Sequence, residues 1–280
     1  IIQEIGQSVD TPDDLVFDLF AKSAYVDHTL GRPILGTLES VSNFDRGDLN
    51  SFLDRHYGAG QMLVCAAGAV TQDELVTHIE RRLGGVKTAT DALRNSPAWS
   101  SGRQIVRRDL EQTHVVLGLP GLAANDHDRF ALMALSTLFG GGMSSRLFQQ
   151  VREKRGLCYS IFSFASMQSD SGNFAIYAGT SAEQVDEMLC VVCDELNDVA
   201  SGVSGAEVKR AKAQLRASLL MARESVSGCG DSLARQIMLF GKPSDDRELL
   251  AAIDDVTCER VSEVASRLIT TAPPAIAAVG

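Results

Sequence analysis

Two stretches of period-two alternation, Tyr159 to Met167 and Asn173 to Ala178, flank a Ser169-Asp170-Ser171-Gly172 turn. This pattern puts alternate side chains on a core and joins the strands as an antiparallel hairpin. Around the hairpin the period changes from two to 3.6. Thr71 with Glu74, Ser181 with Gln184, and Ser204 with Glu207 have the spacing of a capping box, in which side chain and backbone satisfy each other's orphan donors. Behind these caps run Leu75, Ile79 and Leu83, then Val185, Met188, Leu189, Val192 and Leu196, then Val208, Ala211, Leu215, Leu219 and Ala222. Each stripe marks an amphipathic helix packed on one face. Helices and antiparallel strands in one domain predict an α+β sandwich.

With 280 residues, the chain has room for about two domains. Between Gly84-Gly85 and Gln104 the helical period lapses around Asn95-Ser96-Pro97 and Ser100-Ser101-Gly102, with the single tryptophan, Trp99, among them. Residues 86–104 therefore make the interdomain linker. An offset of 212 residues brings Leu49 onto Val261, Phe52 onto Val264, Tyr57 onto Ile269 and Val64 onto Ile276. Both segments then consist of a helix and a short strand ending in glycine, at Ala66-Ala67-Gly68 and Ala278-Val279-Gly280. A duplicated domain accounts for this, with 1–85 as the C-terminal part of one copy and 105–280 as the whole of the other. The first copy then lacks most of its front half, and Ile1-Ile2-Gln3-Glu4-Ile5 looks like the middle of a helix. An N-terminally truncated chain is expected.

The longest purely apolar run, Met62 to Val70, is less than half of a membrane-spanning helix, so a soluble chain without a membrane partner is expected. The net charge is −10, from 26 basic and 36 acidic residues, which makes nucleic acid a poor partner. Residues 1–54 hold ten of the acids against Lys22, Arg32 and Arg46. That excess is a solvated acidic face or a surface attracting basic peptides. The six cysteines lack the dense spacing of a disulfide scaffold and fit a reducing compartment. Cys190 and Cys193 form a CxxC with no second pair nearby, and their place in a helical segment predicts core packing rather than metal binding.

The richest stretch is Gly140-Gly141-Gly142-Met143-Ser144-Ser145-Arg146-Leu147, running on through Arg152 to Gly156 and Tyr159. The glycines make a permissive loop, Ser144 or Ser145 caps a helix, and Gly156 stops it before the strand at Tyr159. The loop matches neither GxGxxG nor GxxxxGK[ST], so a nucleotide site is not expected. Ser144 and Ser145 have no base nearby and read as caps rather than nucleophiles. His114, in the strand Val115-Val116-Leu117, reads as a satisfied core or edge histidine.

Together with Glu111-Gln112-Thr113-His114, Leu119-Pro120-Gly121 and Gly31-Arg32-Pro33-Ile34-Leu35-Gly36, this stretch closely resembles the pitrilysin-like, or inverzincin, zinc metallopeptidases. The family includes the mitochondrial processing peptidase and its bacterial relatives, and the resemblance covers the whole chain. It implies two similar α+β domains, with zinc in the first, held by two histidines of an HxxEH helix and a downstream glutamate. Ile1-Ile2-Gln3-Glu4-Ile5 matches the end of the helix carrying that glutamate, making Glu4 the third metal ligand. Arg152 and Tyr159 match the arginine and tyrosine that reach from the second domain to the substrate. A guanidinium fork suits a peptide carbonyl, and a phenol can donate to a developing oxyanion. Without the resemblance they are a helix C-terminal cation and a strand aromatic.

None of His28, His56, His78, His114 and His127 lies in an HxxEH or HxxE pattern. The other ligands and the base are absent from these residues, and one carboxylate cannot hold zinc tightly enough to bring bound water to a pKa of about 7. The resemblance implies a zinc endopeptidase of the processing type acting on unfolded peptides, with this chain inactive by itself. The alternative is a non-catalytic subunit or peptide-binding scaffold. A homodimer, or a heterodimer with a related subunit, is the implied assembly, and the bacterial cytoplasm or the mitochondrial matrix the implied compartment.

Overall fold

The computed structural model describes residues 1–88 and 95–280, so residues 89–94 of the expected linker lie outside the described residues. The chain forms two compact units: Ile1–Thr37 with Ser96–Ala217 and Asp246–Gly280, and Leu38–Asn95 with Ser218–Asp245. This division differs from the segments 1–85 and 105–280, because residues 1–37 are built into the first unit.

That unit contains a five-stranded sheet of order β1-β5-β2-β4-β3, from β1 (Arg103–Val106), β2 (Thr113–Pro120), β3 (Ser160–Met167), β4 (Gly172–Thr180) and β5 (Ala275–Val279). Only β1 and β5 are parallel; the other neighbours are antiparallel, and the expected hairpin is β3–β4 with Ser160 opposite Gly179. Alternation along the strands divides the core in two. Val115, Leu117, Leu119, Phe174, Ile176 and Ala178 face α6 (Arg129–Gly140), α7 (Val185–Ser201), the front of α8 (Gly205–Ala222) and α11 (Cys258–Thr271). Val116, Ala175, Tyr177, Ala275, Ala277 and Val279 face the other way, onto Val16, Phe20 and Ala24 of α2 (Pro12–Ala24). Phe20 lies so near the sheet that a Cβ at Gly118 would be 2.3 Å from its ring.

Residues 96–104 are strapped to this unit rather than loose. Trp99 donates to Pro273 O at 3.1 Å, its ring meets Phe20 and Tyr25 edge-on, and Arg103 and Gln104 belong to β1. The α7 stripe is as expected, with Met188, Val192, Leu196 and Val199 buried. Cys190 and Cys193 are exposed on the other face, so the expected core packing is wrong: they fall off the stripe by about 100° per residue.

The second unit holds α3 (Leu38–Asn43), α4 (Arg46–His56), α5 (Gln72–Leu83), the end of α8 and α9 (Val226–Phe240). Local chemistry starts these helices well. Asp45 with Asp48 and Thr71 with Glu74 form reciprocal capping boxes. Yet α3, α4, α5 and α9 contain no buried residue, so the expected packed face of α5 is not realised. At the 212-residue offset, Asp45 and Thr257 are both N-caps that accept from the third helical N–H, of Asp48 and Arg260. The equivalence then stops, because residues 62–67 form no strand where β5 follows α11. A strand needs a ladder, and no described neighbour offers 62–67 one. Among the described residues no helix is long and apolar enough to cross a membrane.

Candidate functional site

The glycine-rich loop begins where α6 meets the sheet. A Cβ at Gly140 would lie 2.2 Å from Ser163 N, so only glycine lets the helix end against β3. Three side chains then fix the loop. Gln214 and Gln149 donate to Gly141 O and Met143 O, each at 2.8 Å, and buried Ser145 accepts from Phe148 N at 3.4 Å as the helix cap. The serine reading therefore holds.

Arg146 supplies the charge that locks the loop to two helices. Its guanidinium bonds Glu207 at 2.6 Å, at the start of α8, and also Asp198, near the end of α7. Burial pushes the Glu207 carboxyl up, but Arg146 and the N–H and hydroxyl of Ser204 outweigh it and hold the group at about 2.

Beyond Arg146 the chain makes a short π-helix, Phe148–Glu153, with Lys154 N bonding Gln149 O at 3.0 Å. Single π-turns are uncommon and often mark functional sites. Val151 anchors this one in the core, and Gly156, at φ +63°, ends it in the left-handed conformation as expected. The wider turn brings Arg152 over two rings, 4.8 Å from the centre of Phe148 and 5.3 Å from that of Tyr159. Tyr159 N bonds Gly179 O at 3.1 Å, while its side chain is 73% exposed. Behind the pair, burial raises the Cys158 thiol to about 11 although Arg152 pulls it down. Such a thiol is no nucleophile at neutral pH.

Arg152 and Tyr159 are thus brought together, and no hydrogen bond, ion pair or ring contact joins either to Glu4. Glu4 lies in α1 (Ile2–Asp10) with its side chain 63% exposed. Among the described residues no hydrogen bond or ion pair joins it to a histidine. His28 accepts from Leu30 N, His56 packs on Phe52 and His78 bonds Arg81. His114 bonds the Tyr177 hydroxyl at 2.8 Å, satisfied as expected, with burial lowering its pKa. His127 lies between Asp126 and Asp128, and these three form the one group of three candidate metal ligands among the described residues. Their carboxylates, however, already pair with Arg267 and Arg260, and Asp126 caps the turn into α6 by accepting from Asp128 N. Among the described residues no group of three candidate ligands includes Glu4, so these residues by themselves do not fit zinc.

Sequence reasoning missed the Arg146 clamp and the part played by Phe148. Phe148 is one helical turn before Arg152, a spacing that signals contact. The clamp joins residues 61 apart and left only the Ser204–Glu207 capping box as a trace.

Residues 43–215 match the family described as peptidase M16 inactive domain. A protein named "Uncharacterized zinc protease" from Rickettsia felis is 36% identical over 272 residues, covering 97% of this chain and 66% of the relative. One of the same description from Streptomyces coelicolor is 37% identical over 283 residues, 98% of this chain and 62% of the relative. Among solved structures, the peptidase M16 inactive domain from Pseudomonas fluorescens gives a TM-score of 0.89 at 21% identity, over all of this chain and 68% of that chain. A chain of complex III from Candida albicans also gives 0.89, at 23% identity, over all of this chain and 70% of that one. The chain belongs to the peptidase M16 family, and its α+β fold is that of these structures. It spans less than two thirds of the length of the two curated relatives.

Proposed function

We propose that this chain is part of a zinc-dependent endopeptidase of the processing type that acts on unfolded peptides, contributing the substrate side of the active site rather than the metal side. The observation that carries this reading is the placing of Arg152 over the Tyr159 ring beside an exposed phenol, on a π-turn tied to the core. The guanidinium would hold a peptide carbonyl, and the Tyr159 hydroxyl would donate to oxygen as negative charge develops on it. The relatives' names supply the zinc-protease character, and Glu4 would be a ligand only with histidines from residues other than these. In domain terms, 1–85 would be the C-terminal part of a first metallopeptidase-like domain, and 105–280 a second, with the duplication read at the 212-residue offset. A homodimer or a heterodimer with a related subunit, in the bacterial cytoplasm, completes the reading.

Steady-state kinetics on the longer protein containing this chain test it, with folding checked by thermal melts. Arg152→Ala should mainly raise KM. Tyr159→Phe should lower kcat on the order of 10²-fold, because the lost bond strengthens only in the transition state. Near-normal kinetics in both variants would leave the pair a structural cation and aromatic. A non-catalytic subunit or scaffold is the second reading, favoured by the match to an inactive domain. An HxxEH helix encoded upstream of Ile1 would decide against it.

A further inference from the structure

α7 presents two thiols that the peptide-binding reading does not use. Cys190 and Cys193 lie inside Val185–Ser201, three residues apart, and both are exposed, off the buried stripe of Met188, Val192, Leu196 and Val199. Side chains at this spacing in a helix are neighbours, with Cβ atoms about 5–6 Å from each other. The same helix carries five carboxylates and no lysine or arginine. Glu195 and Asp198 are drawn to Arg146. That leaves Asp186, Glu187 and Asp194, each three or four residues from Cys190, in no ion pair among the described residues.

This setting separates three kinds of thiol chemistry. A disulfide needs Cβ atoms about 3.5–4.5 Å apart, closer than a regular helical turn holds them. Thiol exchange needs a thiolate, yet desolvation, the Cys190 thiol and Asp194 all raise the Cys193 thiol, and no cation counters them. A metal ion overcomes this, because it displaces the thiol protons itself and its charge is attracted by the carboxylates. Two thiolates each about 2.3 Å from one ion lie up to about 4.6 Å apart, a span that the helical spacing accommodates. No third ligand stands ready, since the one group of three candidate ligands among the described residues is Asp126, His127 and Asp128. An ion satisfied by two soft ligands therefore fits, and zinc, which takes four, does not.

We propose that Cys190 and Cys193 form a two-thiolate site for a soft monovalent ion, Cu(I), on the exposed face of α7. On binding, each thiol passes its proton to water and each sulfur forms one bond to the ion, with no change of oxidation state. The inference does not rest on the peptide-binding reading of Arg152 and Tyr159, nor on zinc at Glu4.

Anaerobic titration of the reduced 280-residue chain with Cu(I), in competition with a chromogenic Cu(I) chelator, tests this. The chain should withdraw one Cu(I) per molecule from the chelator. Cys190→Ser and Cys193→Ser should each weaken that binding on the order of 10²-fold or more, because one thiolate is left where two acted together. The double variant, which keeps Cys65, Cys158, Cys229 and Cys258, should do no better than either single one. X-ray absorption at the copper edge of the unsubstituted chain should show two sulfur neighbours, a readout that requires no variant to fold. Equal binding by the double variant and the unsubstituted chain would put the ion on another cysteine and overturn the proposal. A chain that withdraws no Cu(I), or a copper shell of three or more ligands, would overturn it as well.

Discussion

The two compact units of this chain use the same helix-starting chemistry and differ in what lies behind the helices. In the first, Phe139, Phe174, Leu132 and Leu135 are fully buried between helices and a sheet. In the second, Phe44, Leu49, Phe52 and Tyr57 are each more than half exposed, and no helix buries a residue. Caps and helical period specify a helix locally. Whether its apolar stripe is buried depends on a partner surface, which the first unit has in its sheet and the second does not have among its described residues.

The contrast makes its largest prediction for core truncations. Phe174→Ala should cost about 3–5 kcal/mol, from lost burial plus a cavity, whereas Phe52→Ala should change stability by about 0.5 kcal/mol or less. Urea unfolding followed by circular dichroism measures both, and equal losses would break the comparison.

A smaller difference is expected between glycines. Gly140→Ala drives a Cβ into the backbone of β3 and should cost about 1–3 kcal/mol, while Gly60→Ala, where a Cβ meets nothing within 4 Å, should be near neutral. Thermal melts of the two variants sharpen the contrast. If Gly140→Ala is neutral, α6 is not seated on β3 as described.

The smallest effect separates two capping boxes of the same type. Glu74 in the second unit is held below its ordinary value by the Thr71 N–H and hydroxyl alone. Glu207 in the first is burdened by burial, yet the Arg146 and Ser204 bonds bring it to about 2. A depressed carboxyl contributes stability that is full above its unfolded pKa and lost as pH falls through the folded one. The Glu207 contribution should therefore disappear between about pH 4.5 and about pH 2. Glu207→Gln should flatten that part of the stability curve more than Glu74→Gln does. Equal curves would mean that the Arg146 clamp adds nothing to the cap.

What was legible in the sequence was local. The β3–β4 hairpin, the Ser145 cap, the Gly156 stop and the α7 stripe each follow from spacing within about a dozen residues. The cover that α2 gives the second face of the sheet was not legible. Val16 and Phe20 meet Val116 and Tyr177, residues about a hundred or more positions away, and nothing in either segment names the other. The offset of 212 matched helix to helix but not the strand at 62–67, because a helix is held within its own turns and a strand only by a neighbour. Cys190 and Cys193 were misplaced for a related reason: a helix of mixed composition shows its period more clearly than which residues sit at the stripe's margin. In the candidate site, only the family resemblance pointed to Arg152 and Tyr159, and the fold added that their side chains meet.

Metal analysis and peptide cleavage on the purified 280-residue chain test most directly that it holds the substrate side of the site without the zinc side. After exposure to zinc and desalting at neutral pH, the chain should retain far less than one zinc per molecule and cleave no peptide in a chelator-sensitive way, since Glu4 is exposed and belongs to no group of candidate ligands among the described residues. Stoichiometric zinc together with chelator-sensitive cleavage would contradict the account.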